Sequence, residues 1–289
     1  MIICTTAAEL NERLAGARKE GQRIGFVPTM GALHRGHMAL IRASVTSCEL
    51  TVASIFVNPT QFNEASDLSA YPRTPRADEE LLIAHGCDFL YRPDVADIYP
   101  NGDQESAAAE LDFGSLTERM EGAHRPGHFA GVAQVVSRLL DIVKPRVLFL
   151  GQKDYQQVAV IRSMVRQLDL PVMIEVVETV REVDGLALSS RNRRLGPQER
   201  KAAGLINRQL SAVAAGLLAG WDPEKLETAA MDAMQRHPLL NPEYVEVFTG
   251  HNLLPYRGGP AAAEIVVACA VHCGPVRLID NRIAIPSNP

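Results

Sequence analysis

The chain has 289 residues, 46% of them hydrophobic and 22% charged, and a formal net charge of −5. This length and apolar content allow one large globular core or two modest ones, while the acidic balance argues against a nucleic-acid partner, which needs a basic face. No apolar stretch approaches the roughly 20 residues that span a bilayer, no secretory signal is visible, and five scattered cysteines fit a reducing compartment, so a cytoplasmic protein is expected.

Thr6-Ala7-Ala8-Glu9 has capping-box spacing and opens a first helix. The apolar run 23–27 predicts a strand. It leads into Val27-Pro28-Thr29-Met30-Gly31-Ala32-Leu33-His34-Arg35-Gly36-His37, and a helical pattern begins at Met38. A strand, a tight turn and a helix N-terminus together present backbone N–H groups that favour anions. Two imidazoles there can donate to phosphate oxygens, and Gly31 and Gly36 let the backbone approach a ligand. A zinc reading fails, because that motif needs histidines four apart with a glutamate beside the first. Neither a Walker loop nor a dinucleotide fingerprint is present.

Strand 51–57 ends in Asn58-Pro59-Thr60-Gln61. Asn58 and Gln61 are thus projected from a carboxyl edge, where open α/β sheets bind ligands, although an Asn-Pro turn with a local cap explains the same residues. Strands 89–92, 147–150 and 173–178 alternate with helices 132–143, stopping before Lys144-Pro145, and 158–168, ended by Pro171. After strand 147–150 comes Gly151-Gln152-Lys153-Asp154. Lys153 can bridge polyphosphate oxygens, Asp154 can face a ribose or simply cap the helix, and Gln157 lies one turn from Lys153. The loop from Val180 to Asn192 carries Leu188, Ser189, Ser190 and Arg191, able to wrap a triphosphate; a plain polar loop is the alternative.

Near residue 180 the pattern changes. Gly196-Pro197 and Asp222-Pro223 open helices, followed by strand-like runs 244–248, 264–271 and 276–279. Cys269, His272 and Cys273 suggest a metal, but the apolar run around Cys269 reads as a buried strand. The expected fold is therefore α/β: a Rossmann-like parallel-sheet nucleotide-binding domain over 1–177 and a smaller α+β domain over 178–289.

The His34-Arg35-Gly36-His37 turn is similar to the His-x-Gly-His signature of the nucleotidyltransferase superfamily. Together with Phe56-Val57-Asn58-Pro59-Thr60-Gln61-Phe62, Tyr71-Pro72-Arg73-Thr74, Arg125-Pro126-Gly127-His128-Phe129, Lys153-Asp154-Tyr155-Gln156-Gln157 and Asp184–Asn192, the chain resembles the pantothenate synthetase family. The resemblance is dense to about residue 196 and resumes at Arg277-Leu278-Ile279-Asp280-Asn281.

That resemblance implies a homodimer with a C-terminal lid and an ATP-dependent ligase that joins pantoate to β-alanine through an adenylate. It implies ATP contacts at Met30, Gly31, His34, His37, Gly151, Gln152, Lys153, Asp154, Val180, Leu188, Ser189, Ser190 and Arg191. The catalytic group is His37 as proton donor, with His34, Lys153, Ser190 and Arg191. Gln61 and Gln157 match the pantoate-holding glutamines, Gln61 also contacts β-alanine, and Asn58 lines the same pocket. Mg²⁺ would bridge phosphate oxygens with no side chain assigned to it, Asp78 being the candidate. Three features depart from the family: Gln152 where glutamate is frequent, no Arg-Asp pair near 247–250, and an unusual 269–273 run. A cofactor adenylyltransferase and a non-catalytic nucleotide-binding module are the rival readings.

Overall fold

Six parallel strands build the larger sheet, in the order β1-β4-β3-β2-β5-β6. The computed structural model describes residues 1–61, 68–69, 71–102, 108, 110–259 and 264–285. Phe62 and Asn63, the end of the Asn58 motif, lie outside the described residues.

The chain divides into two units. Unit 1 comprises Met1–Phe113, Arg125–Gly151 and Val160–Glu178, and unit 2 comprises Gly114–His124, Gln152–Ala159 and the chain from Thr179 on. Lys153, Asp154 and Gln157, within the expected N-terminal span, thus group with the C-terminal residues. Asn281, described below, holds the backbone of Gln152 and Lys153.

In unit 1, β1 (Ile2–Cys4) and α1 (Ala7–Lys19) come first. The Thr6 hydroxyl accepts the Glu9 N–H (3.2 Å), the cap its spacing predicts. Then follow β2 (Ile24–Thr29), α2 (Arg35–Ser47), β3 (Leu50–Ile55), α3 (Pro75–Ala84), β4 (Phe89–Tyr91) and α4 (Val95–Ile98). Beyond α5 (Met120–His124), which lies in unit 2, come α6 (His128–Val143), β5 (Val147–Gly151), α7 (Tyr155–Gln167), which starts in unit 2 and ends in unit 1, and β6 (Met173–Val177). The central strands are buried almost throughout, which explains why they read as continuous apolar runs.

Strand order reverses at β2, which lies between β3 and β5, and that reversal defines a ligand crevice at the carboxyl ends. β2 pairs with β3 along six residues but with β5 only at Gly25 and Phe26. Pro28 offers no N–H beyond that point, so the crevice opens beside the Met30–His37 turn.

In unit 2, α8 (Pro197–Leu218) and α9 (Pro223–Gln235) pack on an antiparallel sheet of β7 (Leu240–Thr249), β8 (Ile265–Cys273) and β9 (Val276–Ile285). Alternate residues Val267, Cys269, Val271 and Cys273 join Ala203, Ile206, Leu210 and Val213 in one core. Burial pushes the Cys269 thiol well up, as suits a core residue.

A polar cluster ties α5 to the sheet. Arg277 makes paired bonds to Glu121 (2.6 and 2.7 Å) and to Glu243 (2.7 to 3.1 Å), His272 bonds Glu243 (2.6 Å), and Tyr244 donates to Glu121 (3.0 Å). Burial would raise the Glu243 carboxyl, but Arg277 overrides it and holds the group below its ordinary value. Stability from Glu243 is therefore present above the unfolded-state value, about pH 4.3, and is lost as pH falls through the folded one. Arg277→Met leaves the buried Glu121 and the half-buried Glu243 without their cation and is expected to cost about 3–5 kcal/mol, read as a lowered urea midpoint at pH 7. Its deficit relative to the wild type should shrink as acid protonates both carboxyls.

Candidate active site

The turn after β2 is built on a buried carboxylate. Gly31 (φ 81°) and Ala32 (φ 50°) both take left-handed backbone, which glycine adopts freely and alanine at a cost. Asp78 on α3, 1% exposed, compensates: its Oδ2 accepts the Ala32 N–H (2.9 Å) and its Oδ1 the Leu33 N–H (2.8 Å) and the Thr74 hydroxyl (3.0 Å). Asp78 is thus a clamp on the turn. A Cβ at Gly31 would stand 3.1 Å from both Asp78 Oδ2 and Ile55 Cγ2.

Downstream, the two histidines cap α2 from both directions. His34 Nδ1 accepts the Gly36 N–H (3.1 Å) and His37 Nδ1 accepts the His34 N–H (3.3 Å). A nitrogen that accepts carries no proton, so each neutral ring holds its proton on Nε2. The half-buried rings lie 4.1 Å apart at 39°. Two N–H donors of like tautomer therefore sit at a helix N-terminus, where the backbone already favours negative charge.

Gln61 lies in unit 1 at the end of the short turn Pro59–Gln61 that follows β3. Its side chain, 8% exposed, donates to Met30 Sδ (3.0 Å), a weak acceptor that a better one would displace. Asn58, 1% exposed, gives its amide to the chain: Nδ2 donates to Gly131 O (3.1 Å) and Thr60 Oγ1 (2.9 Å), while Oδ1 accepts the Tyr99 hydroxyl (3.1 Å). The contact the structure shows for Asn58 is this clasp between the Gln61 turn and α6. A Cβ on Gly131 would come within 2.5 Å of Thr60 O and 2.9 Å of Gln61 Cα, so only glycine permits the approach. His128 on α6 bonds Gln61 O through Nδ1 (2.9 Å).

Unit 2 carries the basic groups. Gln152–Asp154 form one 3-10 turn. The ammonium of Lys153 lies 3.7 Å from Asp154 Oδ1, with the lysine side chain 19% and the aspartate 48% exposed. Asn281 on β9, 2% exposed, donates to both Gln152 O (3.0 Å) and Lys153 O (2.8 Å) and accepts from the Gln152 amide (3.3 Å). Its neighbour Asp280 takes a bidentate bond from Arg181 (2.7 and 2.9 Å), which also donates to Asn281 O (2.9 Å) and Gly185 O (3.0 Å).

One network thereby holds the Lys153 turn and the hairpin that leads to Ser189 and Arg191. Val180 O accepts the Leu188 N–H (2.9 Å), Arg181 bridges Ala187, and Ser189 Oγ accepts the Arg191 N–H (3.2 Å) to start the turn Ser190–Arg194. Arg200 hydrogen-bonds Asp184 at the hairpin tip and holds that carboxyl below the ordinary range. Gly151 ends β5, and Gln157 is half-buried on α7.

Met30, Gly31, His34, His37, Asn58 and Gln61 thus share unit 1, with Gly151 ending its central strand. Gln152, Lys153, Asp154, Gln157, Val180, Leu188, Ser189, Ser190 and Arg191 share unit 2. Sequence reasoning missed the clamp formed by Asp78, the support of Gln61 by His128 and Gly131, and the hold of Asn281 on Lys153. The Asp280-Asn281 pair was visible as a motif fragment; its role was not.

In unit 1 a parallel α/β sheet carries, at its switch point, a turn and helix N-terminus that favour an anion, which places the chain among the phosphate-binding α/β proteins. The comparisons make the class specific. A family model described as pantoate-beta-alanine ligase matches residues 2–283, and the chain belongs to that family. A pantothenate synthetase of Porphyromonas gingivalis is 48% identical over 97% of this chain and 98% of its own length. The structure of the pantothenate synthetase of Thermus thermophilus superposes with a TM-score of 0.89 at 41% identity, covering 99% of this chain and 100% of that one. That of the pantoate-beta-alanine ligase of Francisella tularensis, complexed with β-γ ATP and β-alanine, superposes at 0.78 with 34% identity and 98% of both chains.

Two substitutions separate scaffold from chemistry. His34→Asn retains a side-chain acceptor for the Gly36 N–H and should keep the melting temperature of the wild type, whereas His34→Ala should lose about 1 kcal/mol of stability. Asp78→Asn sets an amide NH₂ against the Ala32 or Leu33 N–H and should destabilise by about 1–3 kcal/mol, with the exchange protection of those two amides lost first.

Proposed function

We propose that this chain catalyses the ATP-dependent joining of pantoate to β-alanine, giving pantothenate, AMP and pyrophosphate through a pantoyl adenylate. The observation that carries this reading is the imidazole pair with both Nδ1 atoms tied to backbone and both protons on Nε2, set in the first turn of α2. A carboxylate is a poor acyl donor because oxide would have to leave. Adenylation solves this: the pantoate carboxylate attacks the α-phosphorus of ATP in line, and pyrophosphate departs. The β-alanine amine then attacks the acyl carbon, and AMP leaves.

Catalysis of the first step is positioning and charge stabilisation. His37 is the proposed proton donor to the departing phosphate oxygens, and His34, Lys153, Ser190 and Arg191 are the proposed further donors. Met30, Gly31, Gly151, Gln152, Asp154, Val180, Leu188 and Ser189 complete the proposed nucleotide contacts. Gln61 and Gln157 hold pantoate through neutral amides suited to hydroxyl groups, with Gln61 also meeting β-alanine and Asn58 behind it.

No protein nucleophile is needed. Burial pushes the Cys87 thiol up to about 12, and Cys4, Cys269 and Cys273 are likewise buried. Among the described residues no group of three or more His, Cys, Asp or Glu is placed to hold a metal, and both Asp78 oxygens are engaged. The donor set suits an anion, so Mg²⁺ is assigned to the polyphosphate oxygens and water, where it would neutralise charge.

The likeness to the family further supports a homodimer in the cytoplasm, with residues 1–177 serving ATP and pantoate and 178–289 a lid. Among the described residues no helix is long and apolar enough to cross a membrane.

Pyrophosphate release from ATP and pantoate, measured with and without β-alanine, tests the reading. A single-turnover burst without the amine and steady formation of pantothenate with it are expected. Release that needs neither pantoate nor β-alanine would overturn it in favour of another nucleotidyltransferase. His37→Ala and Lys153→Ala should each lower the burst rate by about 10²–10³ while the far-ultraviolet circular dichroism stays that of the folded chain.

A further inference from the structure

Lys153 is carried by a single 3-10 turn, Gln152–Asp154, between β5 and α7. Such a turn is short and its own hydrogen bonds are poorly aligned. A lysine, however, delivers a point charge on a flexible stem, and the backbone must aim that stem. The aim is set from β9. The Nδ2 group of Asn281 donates one hydrogen to Gln152 O (3.0 Å) and the other to Lys153 O (2.8 Å). Those two carbonyls belong to the peptide planes on either side of the Lys153 Cα. A peptide unit is rigid, so holding both planes fixes φ and ψ of Lys153, and with them the direction in which its side chain leaves the chain.

Asn281 is itself immobilised. Its Oδ1 accepts from the Gln152 amide (3.3 Å), its N–H donates to Asp280 Oδ1 (2.7 Å) and its carbonyl accepts from Arg181 (2.9 Å). Asp280, 3% exposed, is held in turn by the paired Arg181 bonds (2.7 and 2.9 Å). Every polar group of Asn281 is thus engaged while the residue is 2% exposed. All of these residues lie in unit 2.

We propose that Asn281 is a positioning residue for Lys153 in phosphate binding. It fixes the backbone from which the ammonium reaches the polyphosphate and, being buried, touches no substrate itself. An asparagine suits the task because one short planar amide supplies two hydrogens to two neighbouring carbonyls. Gln157, on the same stretch of chain, is fastened separately. The first turn of α7 is tied by the Tyr155 hydroxyl to Glu264, and by Gln156 Nε2 to Leu116 O (2.8 Å) and Arg119 O (2.9 Å), again within unit 2. Loss of the Asn281 bonds therefore loosens Lys153 and leaves Gln157 in place.

This role rests on the reading that Lys153 serves the polyphosphate, so the experiment begins with Lys153→Ala in the full chain. A wild-type burst of pyrophosphate from ATP and pantoate there would remove that reading itself. Given a slowed burst, Asn281→Leu, close in size but without a donor, should slow it by roughly 10- to 100-fold, with the pantoate KM within about twofold of wild type. Should that variant fail to fold, Asn281→Ala, which admits water to the two carbonyls, should show the same split.

The double variant separates positioning of the lysine from general support of the fold. With Lys153→Ala already present, the Asn281 substitution should slow the burst by less than about twofold further, because the group it aims is gone. A burst unchanged by the Asn281 substitution, a pantoate KM raised by the same factor as the burst falls, or multiplicative losses in the double variant would each overturn the proposal.

Discussion

The buried carboxylate of Asp78 is the constraint from which the rest of the Met30–His37 turn follows. Two consecutive left-handed residues, Gly31 and Ala32, turn the chain out of β2 and into α2, and the N–H groups of Ala32 and Leu33 point at Asp78 rather than water. Unpaired, such donors are costly; paired with a formal negative charge, they become the strongest bonds in the turn. With the turn held, His34 falls at the N-cap position and His37 one turn into the helix, and their mutual capping settles which ring nitrogens carry protons. The turn that leads into both rings is thus held by a side chain more than forty residues away in sequence.

The same device recurs in each unit. In unit 1, His128 bonds the Gln61 carbonyl, and Asn58 bonds the Thr60 hydroxyl and Gly131 O. In unit 2, Asn281 and Arg181 bond the backbone around Lys153 and Gly185. In each case a buried or half-buried polar side chain grips a loop. Loops are the part of a fold with the fewest restraints of their own, so precise presentation of a donor needs this second layer. Two of its members, Asn58 and Asn281, are neutral amides, which satisfy several groups at once without the desolvation penalty of a charge. Where charges are used, at Asp78 and Arg181–Asp280, they are hydrogen-bonded on more than one side.

Local pattern carried much of the architecture. The expected strands 23–27, 147–150 and 173–178 correspond to β2, β5 and β6 within two residues at either end, because both faces of a parallel sheet are covered and apolar runs mark it. Strands β7 and β9 extend well past the expected 244–248 and 276–279. Their ends are polar residues, such as Asn241, Glu243, Asp280 and Asn281, whose pairing comes from the neighbouring strand rather than from their own hydropathy. The short β1 and α4 and the helix α3 were missed for a like reason: a three-residue edge strand exists only because β4 offers it partners. Helix α6 begins at His128, four residues before the expected start at 132, since His128 and Gly131 face a packed turn that no periodicity announces.

By itself, the sequence determined the order of elements, the α/β class, the apolar strands and the chemical groups that could serve a phosphate and a small polar acid. Each of these follows from interactions among residues near one another in the chain. Only the tertiary structure decided which of those groups work outward and which work inward. It made Asp78 a clamp and Asn58 a clasp, grouped Lys153 with the C-terminal residues through Asn281, and set the proton of His128. Those outcomes depend on partners tens to more than a hundred residues distant, brought within 3 Å or so by packing. No local pattern of side chains encodes such a distance; burial of the whole core does.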